Sequence, residues 1–166
     1  MFFTKIMVKI EILYKEKKIS KIKETELVRY INFFSATYKD NLIHSEDNIT
    51  KHPRWSIISG YYAMHDVSKL FIAKKYRFRI DRDIHATTIK VLKELLKDKE
   101  TLKLIEKGFE EYKTLSDDLK DAKIERVKMQ YYTGTPFLKE KYANKSKNFY
   151  YDVVMPYIKK IESIMN

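Results

Sequence analysis

Only three glycines and three prolines interrupt these 166 residues. Sandwiches and barrels need a turn every few residues, built largely from Gly, Pro, Asn and Asp. A chain this poor in breakers is expected to be all-α, an antiparallel up-and-down bundle of four to five helices. Apolar residues, at 44%, are enough for a core, and charged residues, at 34%, are enough to coat long helices. With no cysteine, disulfides, thiolate zinc sites and thiol nucleophiles are excluded. No apolar run approaches the roughly 20 residues of a membrane helix. The opening stretch Met1-Phe2-Phe3-Thr4-Lys5-Ile6 is broken by Lys5, Lys9 and Glu11, unlike a signal peptide. The expected location is cytoplasmic, with no membrane partner.

Periodicity supplies the elements. Residues 1–23 read as a basic extension ahead of a bundle over 24–166. Within it Val8, Ile10, Ile12 and Tyr14 alternate like a strand, while Phe3, Ile6, Ile10 and Leu13 fit an amphipathic helix. Leu27, Ile31, Phe34 and Tyr38 predict a helix over 24–43, with Thr25 as a possible N-cap. Residues 44–53 read as a polar loop ending at Pro53, which suits a helix start. The stretch 54–76 is apolar on most sides, as a central helix must be. A basic loop over 77–83 follows, with Asp81 or Asp83 placed to cap a helix over 84–97. The next helix is expected over 101–131 from Thr101, its stripe running Leu102, Ile105, Phe109, Tyr112, Leu115, Leu119, Ala122, Arg126 and Met129. A last helix over 138–164 is expected to bury Tyr142, Ser146, Phe149, Val153, Tyr157, Ile161 and Ile164, with a kink at Pro156.

The formal net charge of +11 suits an anionic partner such as RNA or nucleotide, because bound Lys and Arg release phosphate counterions. A lysine-rich surface that serves only solvation is the competing reading. Two stretches concentrate the charge. One holds Lys69, Lys74, Lys75, Arg77, Arg79 and Arg82 against Asp81; the other is residues 1–23. Aromatics interleave both (Tyr14, Phe71, Tyr76, Phe78).

Candidate site residues follow from what each side chain can do. Arg126 falls on an apolar stripe, where a guanidinium is costly unless it is paired, reaches the surface or meets a ligand. Tyr131 and Tyr132 lie five and six residues on. A phenol beside a guanidinium can hold a phosphate or close the helix end against the core. Tyr62, His65, Asp66 and Lys69 share one helical face at i, i+3, i+4 and i+7. His85 opens the 84–97 helix, where free N–H groups favour anions and an imidazole can cap, donate or accept. His44 and His52 have no acid cluster beside them, so no metal is expected, and no cofactor. His65 and Asp66, adjacent on a helix, are not by themselves a dyad. Phosphate-loop, dinucleotide, serine-hydrolase and zincin motifs are absent.

The run Ser59-Gly60-Tyr61-Tyr62-Ala63-Met64-His65-Asp66-Val67-Ser68-Lys69-Leu70-Phe71-Ile72 resembles the second helix of HEPN domains, whose prokaryotic branch reads YYAMFHAARALL there. His85-Ala86-Thr87-Thr88 resembles the His that opens their next helix. Arg126-Val127-Lys128-Met129-Gln130-Tyr131 resembles a later Arg with a Tyr five positions on. In order, these pieces span about residues 25–164. The resemblance implies a four- to five-helix bundle, often a homodimer, that binds RNA or nucleotide. Many members pair with a minimal nucleotidyltransferase in toxin–antitoxin modules. Others are metal-independent endoribonucleases with an Arg-(four to six residues)-His motif. Here no His follows residue 85, so Tyr131 stands where a nuclease has His. Arg79 and His85 have the spacing but flank a loop. Asp66 and Lys69 stand where the family has His and Arg. A Tyr with pKa near ~10 is a poor base at neutral pH. The candidate ligand-binding set is therefore Tyr62, Asp66, Lys69, His85, Arg126 and Tyr131, with His85, Arg126 and Tyr131 the catalytic candidates if RNA is cut.

Overall fold

A computed structural model describes the backbone of residues 2–128 and 136–166, and side chains over 9–115, at 117 and over 142–166. The architecture is an all-α helical bundle with one small two-stranded sheet. In order, the elements are α1 (Phe2–Lys15), β1 (Ile19–Lys21), α2 (Glu24–Asp47), α3 (Pro53–Tyr76), β2 (Phe78–Ile80), α4 (Ile84–Leu95), α5 (Lys99–Lys128), α6 (Pro136–Phe149), a π-helical turn (Tyr150–Val154) and α7 (Met155–Met165). No described helix is long and apolar enough to cross a membrane.

Helix α3 is the axis of the fold. It packs against α2, α4, α5, α6 and α7, because nearly every side of it is apolar. Tyr61, Ala63, Met64, Val67, Leu70, Ile72 and Ala73 are all buried. Glycine inside a helix costs about 1 kcal/mol relative to Ala, yet Gly60 is needed here. A Cβ at Gly60 would lie 2.9 Å from Ser45 Oγ and 2.9 Å from Val154 Cγ2. Gly108 likewise admits Met64, whose Sδ would meet a Cβ at 2.9 Å.

Helix α2 does not start at a Thr25 cap. Its first amides, of Glu26 and Leu27, bond the Lys23 carbonyl, and no side chain caps them. Nor does it stop at 43. It continues to Asp47, so the expected polar loop shrinks to the turn before Pro53, which starts α3 as expected. The polar residues there are packing residues. Ser45 is buried and donates to the Ser56 carbonyl (2.8 Å), His44 Nδ1 meets Ser59 Oγ (2.6 Å), and Asn48 Nδ2 donates to the His44 carbonyl (2.8 Å).

The 77–83 stretch is not simply a loop. Phe78–Ile80 pairs antiparallel with Ile19–Lys21, Ile19 opposite Ile80 and Ser20 opposite Arg79. Amide Ile22 extends the ladder to the Arg77 carbonyl (2.8 Å), and amide Asp81 to that of Lys18 (2.8 Å). Of the two patterns open for the first residues, the helix forms. Leu13, Ile19 and Ile22 are buried against the bundle. Asp83 takes the N-cap position of α4 in left-handed conformation without a side-chain cap bond. Helix α5 begins at Lys99, not Thr101, because Asp98 receives the amides of Glu100 (3.1 Å) and Thr101 (3.3 Å).

The break expected at Pro156 takes the form of a π-helical turn just before it. The Met155 amide bonds the Tyr150 carbonyl, five residues back. A π turn accommodates a helix that must deviate around a neighbour, and Phe149, Tyr150, Val153 and Val154 all bury here. Tyr157 donates to Ser68 Oγ (2.6 Å), which donates to the Met64 carbonyl (2.6 Å). Ile164, expected in the core, is 42% exposed.

Candidate functional site

The face of α3 that carries Tyr62, Asp66 and Lys69 looks towards α2, the start of α4 and the middle of α5. His85, second residue of α4, lies against it. Its Nδ1 is 2.7 Å from the Tyr61 hydroxyl. Burial pushes the Tyr61 phenol far above its ordinary range, so it stays protonated and donates. His85 Nδ1 is then the acceptor, and the neutral ring carries its hydrogen on Nε2. Burial, and next the charge of Lys69, lower the pKa of His85. Aromatic rings fix this imidazole: Tyr61 stacks on Tyr112 at 4.6 Å, and the His65 ring is 4.7 Å from His85. Tyr62 stands edge-on to His85 at 6.1 Å. Its hydroxyl lies 3.4 Å from that of Tyr112. That bond, with burial, pushes the Tyr62 pKa up to about 12.

His65 is only 2% exposed. Burial, with Lys69 and His85 adding, pushes its pKa down to about 3, so the ring is neutral. Thr88 donates to the Ile84 carbonyl (2.7 Å). The 3.2 Å contact between Thr88 Oγ1 and His65 Nε2 therefore has the imidazole as donor. His65 Nδ1 has no hydrogen-bond partner among the described residues. It lies 3.9 Å from Asp66 Oδ1, too far for a hydrogen bond, and a neutral ring makes no ion pair.

Asp66 is buried, and Asn41 Nδ2 donates to its Oδ2 (3.2 Å). Burial raises its pKa, opposed by Lys69 and Asn41. Lys69 is half-buried. Its Nζ sits 4.7 Å from the centre of the Phe34 ring, and no carboxylate of a described residue lies within ion-pair distance of it. Burial lowers its pKa and Asp66 partly restores it.

The structure thus brings Tyr62, Asp66, Lys69 and His85 together. Arg126 lies on the α5 backbone, but its side chain, and Tyr131 altogether, fall outside the described residues, as does the stripe beyond Leu115. Arg79 does not face His85; its guanidinium binds Ser20 Oγ (2.9 Å) and Asp81 Oδ1 (3.0 Å). Sequence reasoning missed Tyr61, Thr88, Asn41 and Phe34 as parts of the site. The available signal was Tyr61 four residues before His65, a spacing that puts phenol and imidazole on one helical face. Among the described residues no group of three His, Asp or Glu is placed to hold a metal. Chemically, the cluster offers a partly desolvated ammonium and an imidazole N–H, beside the Asp66 carboxylate and the Tyr62–Tyr112 hydroxyl pair.

No protein-family model matches this chain, and neither the curated proteins nor the solved structures contain a match to it.

Proposed function

We propose that this chain is a HEPN-type module that binds nucleotide or RNA phosphate at the α3–α4–α5 face. Lys69 supplies charge and His85 Nε2 a donor, beside the Tyr62–Tyr112 hydroxyl pair, and the sequence adds Arg126 and Tyr131 as further candidates. The carrying observation is Lys69. Its ammonium is half-buried, burial costs it, and Asp66 offsets that cost only in part, without an ion pair. An anion would offset the rest. The resemblance set out above extends the reading: a homodimer in a toxin–antitoxin or defence module, with a minimal nucleotidyltransferase as partner.

Two features favour binding over cleavage. His65 is buried and donates to Thr88, and His85 Nδ1 is occupied by Tyr61. Neither histidine then has a free basic nitrogen at the surface. The test is fluorescence-detected binding of AMP and a short RNA by wild type, Lys69→Ala and His85→Ala. Lys69→Ala is expected to weaken binding at least tenfold. Equal affinity of wild type and Lys69→Ala for both ligands would remove the reading. RNA cleavage in EDTA by wild type but not Arg126→Ala would replace it with an endoribonuclease.

A further inference from the structure

The two basic stretches, far apart in sequence, meet at one end of the molecule through the β1–β2 ladder. Most acids there are used locally: Glu24 by Arg77 (2.6 Å), Glu16 by Lys18 (2.9 Å) and Asp81 by Arg79 (3.0 Å). Lys17, Lys21, Lys23 and Arg82 are exposed and make no ion pair with a described residue. Beside this surplus of positive charge, α2 and β2 enclose a notch of about 200 Å³ lined by Thr25, Glu26, Arg29, Tyr30, Phe33 and Arg79.

The notch has an unusual composition for a surface hollow. Phe33 is 58% exposed, and its ring is braced edge-on against Phe34 at 5.0 Å. Tyr30 packs on the same Phe34 at 4.7 Å. Two guanidiniums stand around these rings, one of them, Arg29, without an ion pair to any described residue. The volume falls below the ~300–1,000 Å³ of sites that enclose a whole small ligand. It suits one planar ring, stacked on an aromatic and edged by Arg, Glu and Thr, with the rest of the ligand outside. Lysines outside such a notch suit the phosphates that flank a base.

We propose that this end is a docking surface for single-stranded nucleic acid, with one base seated against Phe33 and phosphates further along the strand on Lys21 and Lys23. A duplex keeps its bases stacked inside and cannot fill the notch. Phe34, which braces Phe33 and Tyr30, also lies beneath Lys69, so one ring stands between the notch and the central cluster. The proposal shares with the reading above only the kind of ligand; the residues are different.

The experiment is fluorescence anisotropy with a labelled 12-nucleotide single strand, its duplex, a polyphosphate of equal charge and an acidic peptide, on wild type, Phe33→Ala, Lys21→Ala and Lys69→Ala. The single strand is expected to bind wild type at least tenfold tighter than the other three probes. Phe33→Ala, a change at an exposed position, is expected to weaken it about tenfold. Lys21→Ala should lower the slope of log K against log salt by about 0.7. Polyphosphate or peptide binding as tightly as the strand, or Phe33→Ala matching wild type, would overturn the proposal. AMP serves as the control: binding lost in Lys69→Ala and kept in Phe33→Ala separates the central cluster from the notch. If Lys69→Ala matches wild type for both AMP and the strand while strand binding still depends on Phe33, the central reading fails and this one stands.

Discussion

The α3–α4–α5 face and the β1–β2 end are both polar, and they are built in opposite ways. At the face, the polar groups are buried or half-buried, and most are fixed by a neighbour: Tyr61 on His85, Asn41 on Asp66, Thr88 on His65. At the sheet end charges are many and exposed, and they form short local ion pairs that water and salt weaken. Burial gives a site geometry and costs stability whenever a group is left unpaired. Exposure gives attraction at a distance and leaves stability almost untouched. The same substitution type should therefore read differently in the two places.

The largest expected difference comes from truncating the ring at the heart of the face. Tyr61→Ala removes the stack on Tyr112 and the donor to His85, and should lower unfolding free energy in urea by about 3–5 kcal/mol. A loss below ~1 kcal/mol would mean that this cluster is no more built than the sheet end.

A smaller effect comes from pH. In the fold His65 holds a pKa of about 3 against an ordinary 6.5. Below pH 6.5 the unfolded chain takes a proton that the folded chain refuses, so stability is lost as pH falls and keeps falling towards pH 3. The loss should reach about 2 kcal/mol at pH 5. Asp66, raised by burial, works the other way, since the folded state accepts its proton more readily. Comparing wild type with His65→Gln between pH 7 and 5 isolates the histidine. Parallel melting curves for the two proteins would contradict this assignment.

The smallest effect belongs to the sheet end. Arg77→Ala breaks the exposed pair with Glu24 and should change stability by less than about 1 kcal/mol. A larger loss in thermal melts would show that the ladder depends on that pair, which would narrow the contrast between the regions.

The helices were legible where periodicity is long. The apolar 54–76 stretch had to be central, and Pro53 opened it. The misreadings share a physical cause: the decisive partner lay far away. Ser45 and His44 look like loop residues until Ser56 and Ser59 of α3 meet their side chains. The strands are three residues each, too short to announce themselves, and their partners sit on opposite sides of the α2–α3 hairpin. Of the site, helical spacing placed Tyr62, Asp66 and Lys69 on one face, and His85 stood out as the first-turn residue of α4. The role of Tyr61 was hidden because an inward tyrosine reads as core, and only its hydroxyl reveals the bond to His85.

The short ladder has a consequence for alignment. Helices α2 and α3 leave their joining turn side by side, and packed apolar surfaces alone tolerate some axial sliding. The strands at the open end remove that freedom, because a slip of one residue would turn Ile19 and Ile80 outward. Six strand residues thus act as a vernier for two long rods. With the Asn41–Asp66, His44–Ser59 and Ser45–Ser56 bonds, they set how far along α2 each position of α3 stands, and with it whether Lys69 comes to rest above Phe34 or one turn away.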